Sequence, residues 1–303
     1  MTAFRPRSLV IGAVGLLAIG LGLAVWAVLI EPGRLVVKEV ELSLPSWPRD
    51  MPPLRIAVVS DLHTGAPHVG PEKLDRVVSL VNLRRPDLVV LLGDFIVHGV
   101  IGGRRVEPEV TAARLQPLRA PLGVFAVLGN HDWWYDGPRV ARALRAAGIV
   151  VLDEETARLR HGGHPLWLVG LADFDTRSPD PARATSAVPT AEPIIALTHS
   201  PDVFPLMPAR VAITLAGHTH GGQVYIPLVG RLIVPSRYGQ RYAIGHVEEG
   251  GRHLFVTSGI ATSIIPVRFL VPPEIVILVL RPAWAVAGNR WGGVGGGAAA
   301  APP

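Results

Sequence analysis

Cysteine is missing from all 303 residues. Its absence excludes disulfides, thiolate-held zinc, iron–sulfur clusters and thiol nucleophiles, and leaves the redox compartment open. Charge is sparse too, with Asp, Glu, Lys and Arg making up 17% of the chain. The net charge of +5 and a pI of about 10.2 point toward an anionic partner. The basic residues are nevertheless scattered, and the longest runs are the pairs Arg84-Arg85 and Arg104-Arg105. A nucleic-acid surface concentrates charge on a stripe, so no nucleic-acid partner is expected. No segment repeats at a fixed period, which excludes a solenoid or propeller. Apolar residues are abundant: 49% of the chain, with a mean hydropathy of +0.36. That composition excludes a disordered chain, and the length suits one large α/β unit or two domains of ~150 residues.

Leu9 to Ile30 is a run without a charged or amide side chain. As a helix it extends about 33 Å, enough to cross a ~30 Å hydrocarbon core. Trp26 lies near one end, and Glu31-Pro32-Gly33 closes the run. The expected reading is an uncleaved single-pass anchor in the cell membrane. The rival is a signal peptide cut after Val25-Trp26-Ala27. Arg5 and Arg7 on one side balance Arg34 and Lys38 on the other, so the side of the membrane is undetermined. The organisation expected is an anchor over 1–33, a linker over 34–54, a catalytic domain over 55–281 and a disordered Gly/Ala/Pro tail over 282–303. Oligomeric state is not legible.

Past the anchor, β-branched and leucine-rich runs alternate with amphipathic segments. Val36–Leu44, Ile56–Ser60, Leu88–Leu92 and Val124–Leu128 read as strands. The helix after Ile56–Ser60 carries Leu74, Val77, Val78 and Val81 on one face, and others are expected around Val110–Leu118 and Arg139–Ala147. This is the rhythm of βαβ units around a buried sheet. Later runs at Leu166–Leu171, Pro193–Thr198, Val211–Ala216, His253–Thr257 and Ile275–Leu280 suggest a second sheet with fewer helices. Thr176 to Pro193 reads as a lid or mobile loop.

Polar residues gather where five of these strands end: Ser60-Asp61-Leu62-His63, Gly93-Asp94, Gly129-Asn130-His131-Asp132, His199-Ser200 and Gly217-His218-Thr219-His220. Ligands in open α/β sheets sit outside the carboxyl ends of strands. A lone Asp there is an ordinary turn or cap residue, but gathering three carboxylates is prohibitive without cations. Carboxylate, amide and imidazole donors without sulfur suit two divalent ions of the Mn, Fe or Zn type. Such a pair clamps the attacking and leaving oxygens of a phosphoryl displacement.

Asp61-x-His63, Gly93-Asp94, Gly129-Asn130-His131-Asp132, His199 and Gly217-His218-Thr219-His220 resemble the five-part signature of the calcineurin-like metallophosphoesterases. Gly217–Gln223 and Pro266–Ile275 resemble the membrane-associated branch of YkuE- and YaeI-type phosphodiesterases. The resemblance implies a four-layer α/β/β/α sandwich. It implies Asp61, His63 and His220 on one ion, Asn130, His199 and His218 on the other, and Asp94 bridging both. It further implies attack on a phosphoester by hydroxide held between the ions, with Asn130 and His131 catalytic and Asp132 orienting His131. The second motif departs from that of the protein phosphatases, since Val97 and His98 stand where those have Asp and Arg. His98, Trp133 and Trp134 are candidate substrate contacts. His68 is expected to be an exposed loop residue, and Asp173 and Asp175 to shape a turn. The expected function is a membrane-anchored phosphodiesterase or pyrophosphatase acting on a lipid-linked phosphoester such as UDP-2,3-diacylglucosamine. The alternatives are a nucleotide or nucleic-acid phosphodiesterase and a catalytically silent metal-binding scaffold.

Overall fold

A computed structural model of the chain describes residues 6–283. The tail residues 284–303 lie outside the described residues. Strands β1 (Val36–Leu44), β2 (Leu54–Val59), β3 (Leu88–Leu92), β4 (Val124–Val127) and β5 (Val150–Val151) come first. They are followed by β6 (Glu155–His161), β7 (His164–Gly170), β8 (Ile194–Leu197) and β9 (Ile213–Ala216). The chain then forms a short hairpin of β10 (Tyr225–Ile226) and β11 (Gly230–Arg231), and ends with β12 (Gly245–Glu249), β13 (Arg252–Val256) and β14 (Glu274–Pro282). Helices are α1 (Pro6–Val25), α2 (Pro71–Leu83), α3 (Pro108–Leu115), α4 (Asn130–Ala146) and α5 (Pro181–Ser186).

Two six-stranded sheets result, in the orders β1-β14-β2-β3-β4-β5 and β12-β13-β9-β8-β7-β6. Strands β2 to β5 run parallel, as do β7, β8, β9 and β13. Both faces of the central strands β2, β3, β4, β8 and β9 are largely buried, which explains their continuous apolar runs. Ile56 and Val58 point into the space between the sheets, against Leu168, Ile195 and Leu215. Ala57 and Val59 point outward, against Leu74, Val77, Leu115 and Leu144 of α2, α3 and α4. The second sheet is covered more thinly, by α5 and a 3₁₀ turn at Pro201–Leu206 through Ala184, Val203 and Phe204. The architecture is thus an α/β/β/α sandwich.

Three boundaries differ from the sequence reading. Residues 36–44 are not part of a linker, because β1 pairs with β14 along its whole length and adds an edge to the first sheet. The strand at the other end runs through Pro282, so the last sheet strand outlasts the expected domain limit of 281. The stretch 176–193 is no free lid either: Asp180 caps α5, and Ala184, Thr185 and Val188 are buried on the second sheet.

Val10–Gly33 is the one helix among the described residues long and apolar enough to cross a membrane. Its last turns widen into a π turn and then tighten into a 3₁₀ turn, and they are fastened to the sandwich. The Arg268 amide donates to Ala27 O at 2.9 Å, Lys73 Nζ to Pro32 O at 3.0 Å, and His68 Nε2 lies 3.0 Å from Val28 O. His68, exposed as expected, is therefore part of the joint. Glu31 is buried; its carboxylate accepts the Val271 amide at 2.7 Å and Trp26 Nε1 at 2.6 Å. Glu31→Ala would strand both donors, at a cost of about 1–3 kcal/mol for the buried amide alone. The expected result is a calorimetric Tm lower by roughly 3–10 °C in the same detergent.

Candidate metal centre

Loops following β2, β3, β4, β8 and β9 meet at the carboxyl edge of the two sheets, laced by backbone bonds that prolong the strand pairing. The Asp61 amide donates to Gly93 O at 3.0 Å, the His63 amide to Asp94 O at 2.9 Å and the Gly217 amide to His199 O at 2.9 Å. The chain turns sharply here. Asp61, His63, Asp94, His218 and His220 all take positive φ, between 35° and 69°. That region is unfavourable for residues with a Cβ, and such strain concentrates at functional sites. Close approach explains two of the glycines. A Cβ on Gly93 would come 2.5 Å from the Gly129 nitrogen, and one on Gly217 would overlap Ser60 Oγ and lie 2.7 Å from Asp61 Oδ2. Gly217→Ala is therefore expected to displace Asp61 and lower bound metal more than about tenfold, measured by atomic emission on purified protein.

The structure brings all seven sequence-predicted donors together. Asp61 Oδ1 lies 3.5 Å from His220 Nε2, which lies 3.2 Å from His63 Nε2. On the other side, His199 Nε2 is 3.0 Å from Asn130 Oδ1 and 3.1 Å from His218 Nδ1. Asp94 joins the halves: its Oδ2 is 3.4 Å from His63 Nε2 and 3.2 Å from His199 Nε2. Asp61, His63, Asp94, His199 and His220 are all buried.

Hydrogen bonding behind the histidines fixes where their lone pairs point. His63 Nδ1 faces Ile96 O at 3.2 Å, His199 Nδ1 faces Leu92 O at 2.7 Å, and His220 Nδ1 faces Ala261 O at 3.1 Å. A carbonyl oxygen only accepts, so each Nδ1 carries a proton and each ring turns its Nε2 inward, as a lone pair on neutral His63 and His220 and as a second N–H, to be given up to a cation, on His199. This carbonyl-backed arrangement is how metal-ligating histidines are oriented. The lone pairs of His63 and His220 then face each other at 3.2 Å and carboxylate oxygens at 3.4 and 3.5 Å. That packing is repulsive unless a cation or proton lies between, so the donors fit a divalent ion.

The electrostatics agree. Burial pushes His63 down to about 4, while burial and the neighbouring His199 push His218 down to about 3, leaving both rings neutral ligands. Burial and then the nearby Asp94 charge lift Asp61 to about 6. Burial opposes ionisation of Asp94 and His199 alike, yet their mutual attraction holds Asp94 well below the carboxylate range and His199 well above the imidazole range. Protonated His199 supplies the positive charge that the pocket demands.

The remaining predicted residues separate into those near the centre and those directed elsewhere. Asp132 is not placed to orient His131 or to act in catalysis. Its carboxylate accepts backbone amides of Gly129, Asp94, Phe95 and Ile96 at 2.9–3.2 Å, clamping the loop that carries Asp94. His131 stands closer: Nε2 is 3.9 Å from Asp94 Oδ2, and buried Nδ1 has no hydrogen-bond partner among the described residues. Trp134 packs 4.8 Å from the His131 ring and 5.9 Å from exposed His98, forming the mouth. Trp133 points away, half-buried under Arg177 and against Gly137. Asp173 makes the expected turn with Thr176 at 2.9 Å. Asp175 does more than that: its Oδ2 lies 3.3 Å from His218 Nε2 and backs that ring as carbonyls back the others. Arg268, unflagged by the sequence, is buried behind the site and donates to Ser258 O, Val271 O and Ala261 O, the last of which also receives His220.

Comparison with known proteins supplies an independent line. The calcineurin-like phosphoesterase family matches residues 54–222. The chain is 30% identical over 273 residues to the uncharacterized metallophosphoesterase YkuE of Bacillus subtilis, covering 89% of this chain and 93% of that one. It is 30% identical over 232 residues to the phosphodiesterase YaeI of Escherichia coli, covering 75% and 82%. A Danio rerio transmembrane protein with metallophosphoesterase domain is 30% identical over 268 residues, covering 84% of this chain and 58% of that protein.

Proposed function

From the premise that the chain belongs to the calcineurin-like phosphoesterases, metal-dependent hydrolases of phosphoesters, we propose that it is a membrane-anchored dimetal phosphodiesterase or pyrophosphatase. Asp61, His63 and His220 hold one divalent cation, and Asn130, His199 and His218 hold the other. Asp94 is shared. The observation that carries this reading is the single oxygen, Asp94 Oδ2, within 3.4 Å of a histidine from each half. When bound, such cations supply Lewis acidity toward phosphoryl oxygens and lower the pKa of water. The protein's own contribution is orientation and charge. Asn130 fixes the ester beside His199, and His131, whose Nε2 lies 3.9 Å from Asp94 Oδ2, donates to a phosphoryl oxygen and offsets charge as it develops. Asp175 and the three backing carbonyls hold the imidazoles in register.

Anchoring rests on the apolar Val10–Gly33 helix, supported by the transmembrane description of the Danio rerio relative. A lipid-linked phosphoester follows from a site fastened to the end of such a helix, and UDP-2,3-diacylglucosamine is a suitable trial compound. A nucleotide phosphodiesterase is a second reading, favoured by Trp134, which is 54% exposed beside His131. Activity on polynucleotides that falls steeply with salt would select it.

The direct test is metal analysis of the purified full chain, with turnover of bis(p-nitrophenyl) phosphate. About two manganese-, iron- or zinc-type ions per chain are expected, with a thermal midpoint raised by added Mn²⁺ and lowered by chelation. A chain that takes up no divalent ion and hydrolyses nothing with Mn²⁺ present would overturn the proposal.

A further inference from the structure

Beside the metal centre, on the side of His220, lies a cavity of about 350 Å³. Its floor is Thr219 and His220, and its walls are Val224, Leu232, Ile233, Pro235, Ile264 and Ile265. The polar groups at its rim are already used. The Gln223 amide donates to Ile265 O at 3.2 Å and accepts the Ser263 amide at 2.5 Å, and Thr219 Oγ1 donates to Ala243 O at 2.7 Å. No charged side chain lines it. A pocket of this size and lining binds hydrocarbon rather than a sugar or base, which would arrive with polar groups to satisfy.

The same loops carry apolar side chains outward. Leu228, Val229, Leu232, Ile233, Ile264 and Leu270 are exposed, Ile233 by 75% and Ile264 by 65%. A cluster of this kind on a water-soluble face marks an apolar partner. Ile264, a β-branched residue, is also held at φ 59°, which such residues rarely adopt. The Ile101 amide fixes it by donating to Ile264 O at 2.8 Å.

The position of these loops identifies the occupant. The 264–271 segment is bound to the end of the apolar helix through Arg268 N to Ala27 O and Val271 N to Glu31. It is also zipped to the 223–225 segment by Tyr225 N to Phe269 O and Phe269 N to Gln223 O, both at 2.9 Å. Exposed Leu29 and Ile30 thus sit on the helix end to which the segment carrying exposed Leu270 and Ile264 is bound, and Ile264 in turn lines the cavity that reaches His220. We infer that this cavity is an acyl-chain subsite, holding one hydrocarbon chain of a lipid phosphoester whose phosphate lies at the metal centre. The inference rests on the phosphoesterase reading and narrows its substrate class.

Its test uses the full chain in nanodiscs and p-nitrophenyl phosphodiesters of methyl to octyl alcohols. The expected result is kcat/KM rising about fourfold per methylene, the equivalent of about 0.8 kcal/mol, until the cavity is filled. In Ile233→Asp and Ile264→Asp the methyl ester should be hydrolysed within about twofold of wild type while the dependence on chain length disappears. A rise that persists in both variants would reflect partition into the bilayer and overturn the subsite, as would a flat series in the wild type. Independently of turnover, an octyl phosphate bearing a terminal diazirine should crosslink to residues 224–235 or 263–265. Crosslinking confined to α1 would overturn the subsite, whereas crosslinking in the cavity without hydrolysis of any ester would retain the subsite and refute the phosphoesterase reading.

Discussion

Asp94→Ala is expected to lose both activity and metal: turnover below about one-thousandth of wild type, equivalent to about 4 kcal/mol of transition-state stabilisation, with bound metal near zero. Three imidazoles converge on Asp94 Oδ2, at 3.2, 3.4 and 3.9 Å. Removing that oxygen leaves His63 and His199 directed at a hole and takes away the charge that keeps His199 protonated in the metal-free protein. Asp94 Oδ1 also accepts the His131 amide at 3.0 Å, so the alanine variant exposes a buried donor. Asp94→Asn separates the two effects, because its amide oxygen still accepts from His131 while the negative charge is gone. Elemental analysis with circular dichroism on both variants is the measurement. An asparagine variant that is folded and keeps its full metal content would show that the charge of Asp94 is dispensable.

His131→Ala is expected to behave differently. Its kcat should fall about 10²–10⁴-fold while metal content and KM stay near wild type. The distances separate the two roles. His131 is the farthest of the three imidazoles from Asp94 Oδ2, and its Nδ1 is free. Burial pushes its pKa below the ordinary imidazole value, against the pull of Asp94, so it enters the reaction neutral near pH 7 with one N–H to donate. Parallel loss of metal in this variant would reassign His131 from the substrate to the cation.

The parts of the site written contiguously beside strand ends were legible in the sequence. Asp61 and His63, Asp94, Asn130 and His131, and His218 and His220 each follow a β-branched or leucine run that is buried on both faces, and such runs declare their own direction and end. The remaining determinants depend on contacts between distant segments. Asp132 looked like a partner for its neighbour His131, but the start of α4 turns its side chain toward the amides of residues 94–96. Asp175 backs His218 across 43 positions of chain, and Arg268 supports the His220 loop from beneath. Neither lies in a motif. Strands β6 and β12 were missed because charged residues interrupt their apolar alternation, with exposed Arg158 and Arg160 on one face of β6 and Glu155 on the other, and with Glu248 and Glu249 on opposite faces at the end of β12. The 176–193 stretch looked unstructured because α5 is only one and a half turns long and is held by Asp180 and the second sheet rather than by its own propensity.

Glu31 joins the apolar helix to the Val271 amide without an intervening spacer. A catalytic head fastened in that manner cannot swivel on a leash. In the membrane-anchored form proposed above it would drift laterally with its mouth at one height and one tilt, and its search for substrate would be two-dimensional. Chemistry would then happen only where the scissile bond stands at that height. Inserting a few flexible residues at Gly33 would therefore alter which headgroups are reached, even with every atom of the reaction centre left in place.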